Sequence, residues 1–172
     1  MNNTHENEIK NLTLKGIPGS EITWRHMSDS ANSNDVYRRP GVRYFAIKLD
    51  DEFAEELEQQ GWPVIWRNSN RGDDDSVEIM QAYLKVFIKY GTRYPVDIYL
   101  VSKDRRSKTE LKESDLDSLY IDTKPLESID VTIRPYHWVY GSDSGVKAQV
   151  RAMNILLAQD GLDDDYEIIY QN

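Results

Sequence analysis

The segment that decides the fold is Ile79-Met80-Gln81-Ala82-Tyr83-Leu84-Lys85-Val86-Phe87-Ile88-Lys89-Tyr90, because its side chains alternate in character from one residue to the next. Successive side chains of a β-strand point to opposite faces of a sheet. The even-numbered residues, Met80 included, are apolar up to Tyr90 and should face a core. The odd-numbered residues from Gln81 onward alternate aromatic and cationic groups. The segment therefore predicts a long strand with one buried face and one outer face.

Similar segments before and after this strand predict a mainly β domain. They cover residues 11–15, 22–27, 42–49, 62–67, 96–102, 129–140 and 146–157. A short helix is predicted over 51–60, with Asp50 as its N-cap and Gly61 at its end, and a second one near 113–119. This order favours an OB-fold-like Greek-key barrel with one or two short helices, and a β-sandwich is the alternative.

The segment 129–140 also predicts a strand whose outer face carries aromatic and cationic side chains. Its even-numbered residues from 132 on are Thr132, Arg134, Tyr136, Trp138 and Tyr140. A four-residue loop at 141–144 would join it to 146–157 in a hairpin that pairs Trp138 with Lys147. We expect this register because a slip by one residue would bury the lysine.

Outward rings beside cations suit single-stranded nucleic acid, whose unpaired bases stack on rings and whose phosphates pair with Lys and Arg. Another cationic group, with Arg43 and Tyr44, enters a strand from a loop and is expected to clamp the ligand. The predicted nucleic-acid-binding residues are Arg43, Tyr44, Tyr83, Lys85, Phe87, Lys89, Arg134, Tyr136, Trp138, Tyr140, Lys147 and Arg151. Plain packing under a helix or loop is the alternative for any one ring, since aromatic residues favour strands anyway.

Other aromatic and basic groups give weaker signals. The pairs Trp24-Arg25 and Trp66-Arg67 repeat the same theme, but Trp62 and Trp66 are expected to pack against the helix. The basic residues at 103, 105, 106 and 108 are more typical of a solvated turn.

The formal net charge of -9 argues against nucleic acid, because such binders usually carry a basic surplus. The C-terminal stretch contributes Asp160, Asp163, Asp164, Asp165 and Glu167, and without these five charges the formal charge would be -4. We therefore divide the chain into a disordered tail at 1–9, one OB-like barrel domain at 10–158 and an acidic tail at 159–172.

Composition disfavours most catalytic chemistry. The chain has no cysteine, which excludes disulfides, thiol catalysis and thiolate metal sites and fits a reducing cytoplasm. The histidines lack metal-ligand spacing, and His137 is expected to be buried and neutral. The acidic runs 73–75 and 163–165 lack the ligand spacing of a calcium loop. The sequence therefore predicts no cofactor, no metal and no enzyme, with a nuclease that uses the aspartates as the weakest alternative.

No apolar run approaches the length of a membrane span, and the N-terminus lacks the apolar stretch of a signal peptide. We therefore expect no membrane association.

The stretch Ile129-Asp130-Val131-Thr132-Ile133-Arg134-Pro135-Tyr136-His137-Trp138, which continues to Gly145-Val146-Lys147-Ala148, resembles a family of phage and prophage OB-fold single-stranded DNA-binding proteins. Matching stretches at 41–50 and 61–66 extend the resemblance over most of the chain. The turn Ser142-Asp143-Ser144 departs from the family, because it lacks a lysine before the glycine. The strand after it is less aromatic than usual.

The resemblance implies sequence-independent binding of single-stranded DNA in phage replication or recombination, in the host cytoplasm. It also implies that the acidic tail recruits replication or recombination proteins. A homo-oligomer is left open. The alternative function is an acidic phage interaction protein that binds or inhibits a host nucleic-acid enzyme, with the outer rings as a protein interface.

Overall fold

The computed structural model describes residues 9–28, 41–68 and 79–158. Its strands are β1 (Leu12–Pro18), β2 (Ile22–His26), β3 (Arg43–Leu49), β4 (Val64–Asn68), β5 (Met80–Ile88), β6 (Asp97–Val101), β7 (Lys108–Glu110), β8 (Leu126–Tyr140) and β9 (Asp143–Leu157). The helices are α1 (Asp51–Gln60) and α2 (Glu113–Ser118), and short 3-10 turns span Gly19–Glu21 and Ile121–Thr123.

The described strands form one sheet that curls into a half-barrel. The main strand order is β1-β8-β9-β5-β3-β2, so β1 and β2 lie at opposite ends of this path. The turn Gly19–Glu21 nevertheless joins these two strands directly, and the sheet must curl to bring its ends together. The Cβ of any larger residue at Gly19 would lie 1.8 Å from the carbonyl oxygen of Leu126, which explains the glycine. The predicted mainly β, OB-fold-like architecture is confirmed.

β5 and β6 pair in succession with the same edge of β9. Val86 and Phe87 lie parallel to Ala148 and Gln149, and β6 resumes the parallel pairing from Ala152 onward. The chain therefore leaves this edge after Phe87 and returns to it at Asp97, three residues further along β9.

The core lies on the inward face of the sheet. The even-numbered residues of β5 from Ala82 to Ile88 are buried there, as predicted, together with Phe45 of β3 and Ile133 of β8. Met80 is the exception at 43% exposure, since it is the first residue of its strand.

The two helices bury their apolar residues in this same core. α1 has the predicted bounds. The Asp50 carboxylate accepts a hydrogen bond of 2.8 Å from the Phe53 N–H, and Gly61 adopts a φ of 102°. Trp62 is buried, and the Trp66 indole donates to Glu58 of α1 at 2.7 Å, so both tryptophans pack near the helix as expected.

The β8–β9 hairpin differs from its predicted register. A two-residue turn, with Gly141 at a φ of 61°, replaces the predicted four-residue loop. Trp138 consequently lies opposite Gly145, and Lys147 lies opposite Tyr136. A shift of two residues keeps every side chain on its face, so hydrophobic pattern alone could not distinguish the two registers.

The end of this hairpin extends beyond the core, and it carries residues that are more exposed than the sequence predicted. His137 is exposed rather than buried, and Val139 on the same face is 77% exposed. Further along, a bulge between Thr132 and Ile133 changes the alternation of β9, so that Met153 is buried and Ala152 is only half-buried.

The predicted tails lie mostly outside the described residues, as do the runs 73–75 and 163–165. Ile9 is described, and it packs against the core. In the described part of the chain, no helix is long and apolar enough to cross a membrane.

Candidate nucleic-acid interface

A continuous row of side chains crosses five strands on the outward face of the sheet. The pairing joins His26 of β2 to Tyr44 of β3 and Tyr44 to Phe87 of β5. It continues from Phe87 to Gln149 of β9 and from Gln149 to Arg134 of β8. Residues that are directly opposite each other share a face, so the row is contiguous. We use the name outer face for these five residues together with their outward neighbours. The neighbours are Trp24, Lys48, Arg67, Tyr83, Lys85, Lys89, Tyr94, Tyr136, Trp138 and Lys147.

Rings and ammonium groups alternate at the centre of the outer face. The Tyr44 ring lies 4.7 Å from the His26 ring and 6.0 Å from the Phe87 ring. Lys85 Nζ lies 4.0 Å from the Tyr44 centroid and 5.2 Å from the Phe87 centroid. Lys147 Nζ lies 5.1 Å from the Phe87 centroid. These contacts hold the ammonium groups beside the rings, where they can pair with phosphates.

A second ring pair lies next to this centre. Trp24 stacks on Tyr83 at 4.3 Å, and the guanidinium of Arg67 lies 5.9 Å from the Trp24 ring. Lys48 of β3 lies opposite Tyr83 in the sheet. A cleft of about 710 Å³ opens here, lined by both rings together with Tyr44, Lys85 and other residues.

The backbone of Trp24 is strained. Its φ is 47°, a left-handed conformation that bulky residues rarely adopt. The β2–β3 pairing has an extra residue in β2 at this point, which makes a bulge. Such outliers cluster at binding sites, where the surrounding structure maintains the strain.

The Arg134 guanidinium lies at the other end of the row from His26. It lies 3.8 Å from the Tyr94 ring centroid and donates a hydrogen bond of 2.5 Å to the Gln149 side chain. Tyr94 belongs to the loop between β5 and β6, and its N–H is hydrogen-bonded to the Thr92 hydroxyl. The Tyr136 ring lies 5.9 Å from the same guanidinium.

The remaining predicted residues lie around the β8–β9 hairpin. Trp138 covers Gly145, because a Cβ at that glycine would lie 2.7 Å from the indole ring. Lys89 is exposed and lines a small cleft with Phe87 and Lys147. Tyr140 is 82% exposed at the end of the hairpin.

Two predicted residues are engaged within the protein. Arg43 is 5% exposed, and its guanidinium donates to the Asp117 carboxylate at 2.7 Å, to the Met27 carbonyl at 2.8 Å and to Glu113 at 3.2 Å. The hydrogen bond to Asp117 raises the pKa of Arg43 further. Arg43 precedes Tyr44 in the strand and must point to the opposite face. Arg151 forms an ion pair of 2.6 Å with Asp97.

The outward side of β3 and β5 and the two helices carry opposite charge. The outward residues of β3 and β5 include Lys48 and Lys85 and no acidic residue. The helices, which pack on the inward side, carry five carboxylates in α1 and three in α2 without any Lys or Arg. The net charge of the whole chain therefore says little about the outer face.

Sequence reasoning missed several members of the outer face, namely Trp24, His26, Lys48, Arg67, Tyr94 and Gln149. Lys48 had a detectable signal, since it shares the parity of Tyr44 in β3. Trp24 and Arg67 had only the weak signal of the pairs Trp24-Arg25 and Trp66-Arg67. His26 had none, because a bulge changes the alternation between Ile22 and His26.

The arrangement of these groups defines a class of protein. A curled β-sheet that offers rings and cations side by side is how proteins hold single-stranded nucleic acid. The family model described as "Putative phage ssDNA-binding domain" matches residues 1–171, and the chain belongs to this family.

Comparison with solved structures finds, among its matches, structures of two phage proteins. The single-stranded DNA-binding protein from bacteriophage Enc34 in complex with ssDNA has 12% identity and a TM-score of 0.45, covering 87% of this chain and 86% of that chain. Its C-terminal truncation has 10% identity and a TM-score of 0.44, covering 87% of each chain. The protein gp2.5 encoded by bacteriophage T7 has 13% identity and a TM-score of 0.38, covering 90% and 96%. Comparison with curated proteins gives no match.

Proposed function

We propose that this chain binds single-stranded DNA through the outer face, with little dependence on base sequence. The rings stack on bases, and the lysines and arginines between them pair with phosphates. The observation that carries the proposal is the contiguous row from His26 to Arg134 across five strands. Family membership supports the same ligand.

The spacing of the rings supports this mode of binding. Tyr83 and Phe87 are four residues apart on β5, which places them roughly 13 Å apart along the strand. Lys85 lies between them on the same face. A base on each ring pair would leave an intervening phosphate near the Lys85 ammonium. Since every base has a face that can stack, such contacts select single strands over duplexes without selecting a sequence.

The proposed role is binding alone, without catalysis. It belongs to replication or recombination of phage DNA in the host cytoplasm, where exposed single strands need a protein that covers them. Protein partners recruited through the acidic tail at 159–172 are part of the same proposal.

Fluorescence anisotropy with a labelled oligo-dT tests the proposal. We expect binding at low salt that weakens as salt increases, and weaker competition by a duplex than by a single strand. Phe87→Ala should lower the affinity by about 1–3 kcal/mol, the range of one stacked base. Phe53→Ala is the matched control, because Phe53 lies in α1 and packs against the core.

Absence of binding at low salt would overturn the proposal. Co-purification with a host protein, without affinity for oligonucleotides, would favour the interaction-protein alternative instead. Equal losses in the Phe87 and Phe53 variants would show that the effect comes from lost stability rather than from a lost contact.

A further inference from the structure

A second group of ring and cation lies on the outward face at the opposite end of the sheet. The Lys108 ammonium in β7 lies 4.2 Å from the centroid of the Tyr99 ring in β6. A cleft of about 300 Å³ opens beside them, and Lys15, Asp130, Thr132 and Asn154 are among the residues that also line it. These residues do not belong to the outer face as described above.

The sheet connects this group to the outer face. Thr132 precedes Arg134 by two residues in β8 and therefore points the same way. Thr132 lies opposite Ala152, and Tyr99 lies opposite Asn154 two residues further along β9. From Gln149 to Asn154 the distance along β9 is roughly 17 Å at the usual rise per residue. One extended strand of nucleic acid can span such a distance.

Of the acidic groups near the second group, two are engaged with the protein itself and one is exposed. The Asp97 carboxylate binds Arg151 at 2.6 Å, and the Asp130 carboxylate accepts a hydrogen bond of 2.7 Å from the Gly16 N–H. Glu110 lies opposite Tyr99 and is exposed.

The turn between β6 and β7 adds positive charge next to Tyr99. Its cations, counted with the first residue of β7, are Lys103, Arg105, Arg106 and Lys108. Its single carboxylate, Asp104, accepts hydrogen bonds from the Ser102 hydroxyl at 2.6 Å and the Arg106 N–H at 3.0 Å. The hairpin therefore presents a surplus of cations beside an accessible ring.

We propose that Tyr99 and Lys108 form a second contact for the same single strand, reached only by oligonucleotides long enough to extend past Arg134 and Tyr94. This inference rests on the proposed function of the outer face. Tyr99 stacks a base, Lys108 pairs with a phosphate, and the strand follows the outward side of β8 and β9 between the two contacts.

Binding measured against oligonucleotide length tests the second contact. Labelled oligo-dT probes of about 4 to 16 nucleotides cover the range of sites on such domains. Tyr99→Ala and Lys108→Ala should leave the affinity for the shortest probe that binds unchanged. For the longest probe, Tyr99→Ala should weaken binding at least about five-fold, the lower limit for one stacked base. Lys108 is exposed, so its replacement leaves the fold intact.

Tyr120→Ala and Lys112→Ala are the matched controls, because both residues are exposed, flank α2 and do not line the cleft beside Tyr99. Losses that are equal at every probe length, or that the controls share, would overturn the inference. So would unchanged affinity of both variants for the longest probe. If Phe87→Ala still weakens binding in that case, the proposed function stands and only the second contact fails. No binding by the unmodified protein at any length would overturn both.

Discussion

Replacing Lys85 by alanine should reduce the salt dependence of DNA binding by the equivalent of one phosphate contact. Lys85 Nζ lies within 4.0 Å of the Tyr44 centroid and 5.2 Å of the Phe87 centroid, at the middle of the outer face. A phosphate that pairs with this ammonium releases a condensed counterion from the DNA. The slope of log affinity against log salt therefore reports the number of such pairs.

The outer face offers six cations for this count. They are Lys48, Arg67, Lys85, Lys89, Arg134 and Lys147. At about 0.7 per phosphate contact on a single strand, full use of them gives a slope of about -4. Affinity would then fall about 300-fold between 50 and 200 mM salt, and only about 100-fold in the Lys85→Ala variant, because one contact fewer lowers the slope by about 0.7.

Anisotropy titrations at four or more salt concentrations measure this slope. Phe87→Ala gives the contrast, since loss of a stacked base should lower the affinity by about 1–3 kcal/mol at every salt concentration and leave the slope unchanged. Lys112→Ala, on the side of α2, should change neither quantity. If Lys85→Ala leaves the slope unchanged while Phe87→Ala reduces it, the assignment of phosphates to lysines and bases to rings is wrong.

Three further results are expected. Gly145→Val should displace the Trp138 indole, which lies 2.7 Å from the site of the new Cβ, and weaken DNA binding in anisotropy without loss of the fold in circular dichroism. Arg43→Met should lower the free energy of unfolding in urea by about 2 kcal/mol through lost charged hydrogen bonds, and leave the affinity of the folded protein unchanged. Burial raises the pKa of Tyr90 from 10.0 to about 12, so its contribution to stability is complete below pH 10 and is lost as the pH rises towards 12. After allowance for its partial exposure this loss is about 1 kcal/mol. Tyr90→Phe should lack it in alkaline unfolding curves.

Local signals in the sequence were sufficient for elements that depend on neighbouring residues. α1 begins after Asp50 and ends at Gly61 because a side-chain cap and a left-handed glycine act within a few residues. The strict alternation of β5 likewise identified the faces of Tyr83, Lys85 and Phe87. These positions required no knowledge of the rest of the fold.

Features that depend on distant partners could not be predicted. Arg43 was grouped with Tyr44 although neighbouring strand residues face opposite ways, and its carboxylate partners on α2 lie far away in sequence. Tyr94 belongs to a loop whose approach to Arg134 follows only from the successive pairing of β5 and β6 with β9. The hairpin register depended on a turn that the hydrophobic pattern does not specify.

The carboxylates of α1 and α2 and the lysines of β3 and β5 lie on opposite sides of the sheet, and this separation contributes an electric dipole. A polyanion that approaches exerts a torque on such a molecule, turning the cationic side towards the nucleic acid and the acidic side away before any contact is made. Once the protein is bound, the carboxylates of α1 and α2 face outward from the complex. We therefore expect the acidic helices of a bound copy to repel a second strand, so that one protein does not bridge two strands.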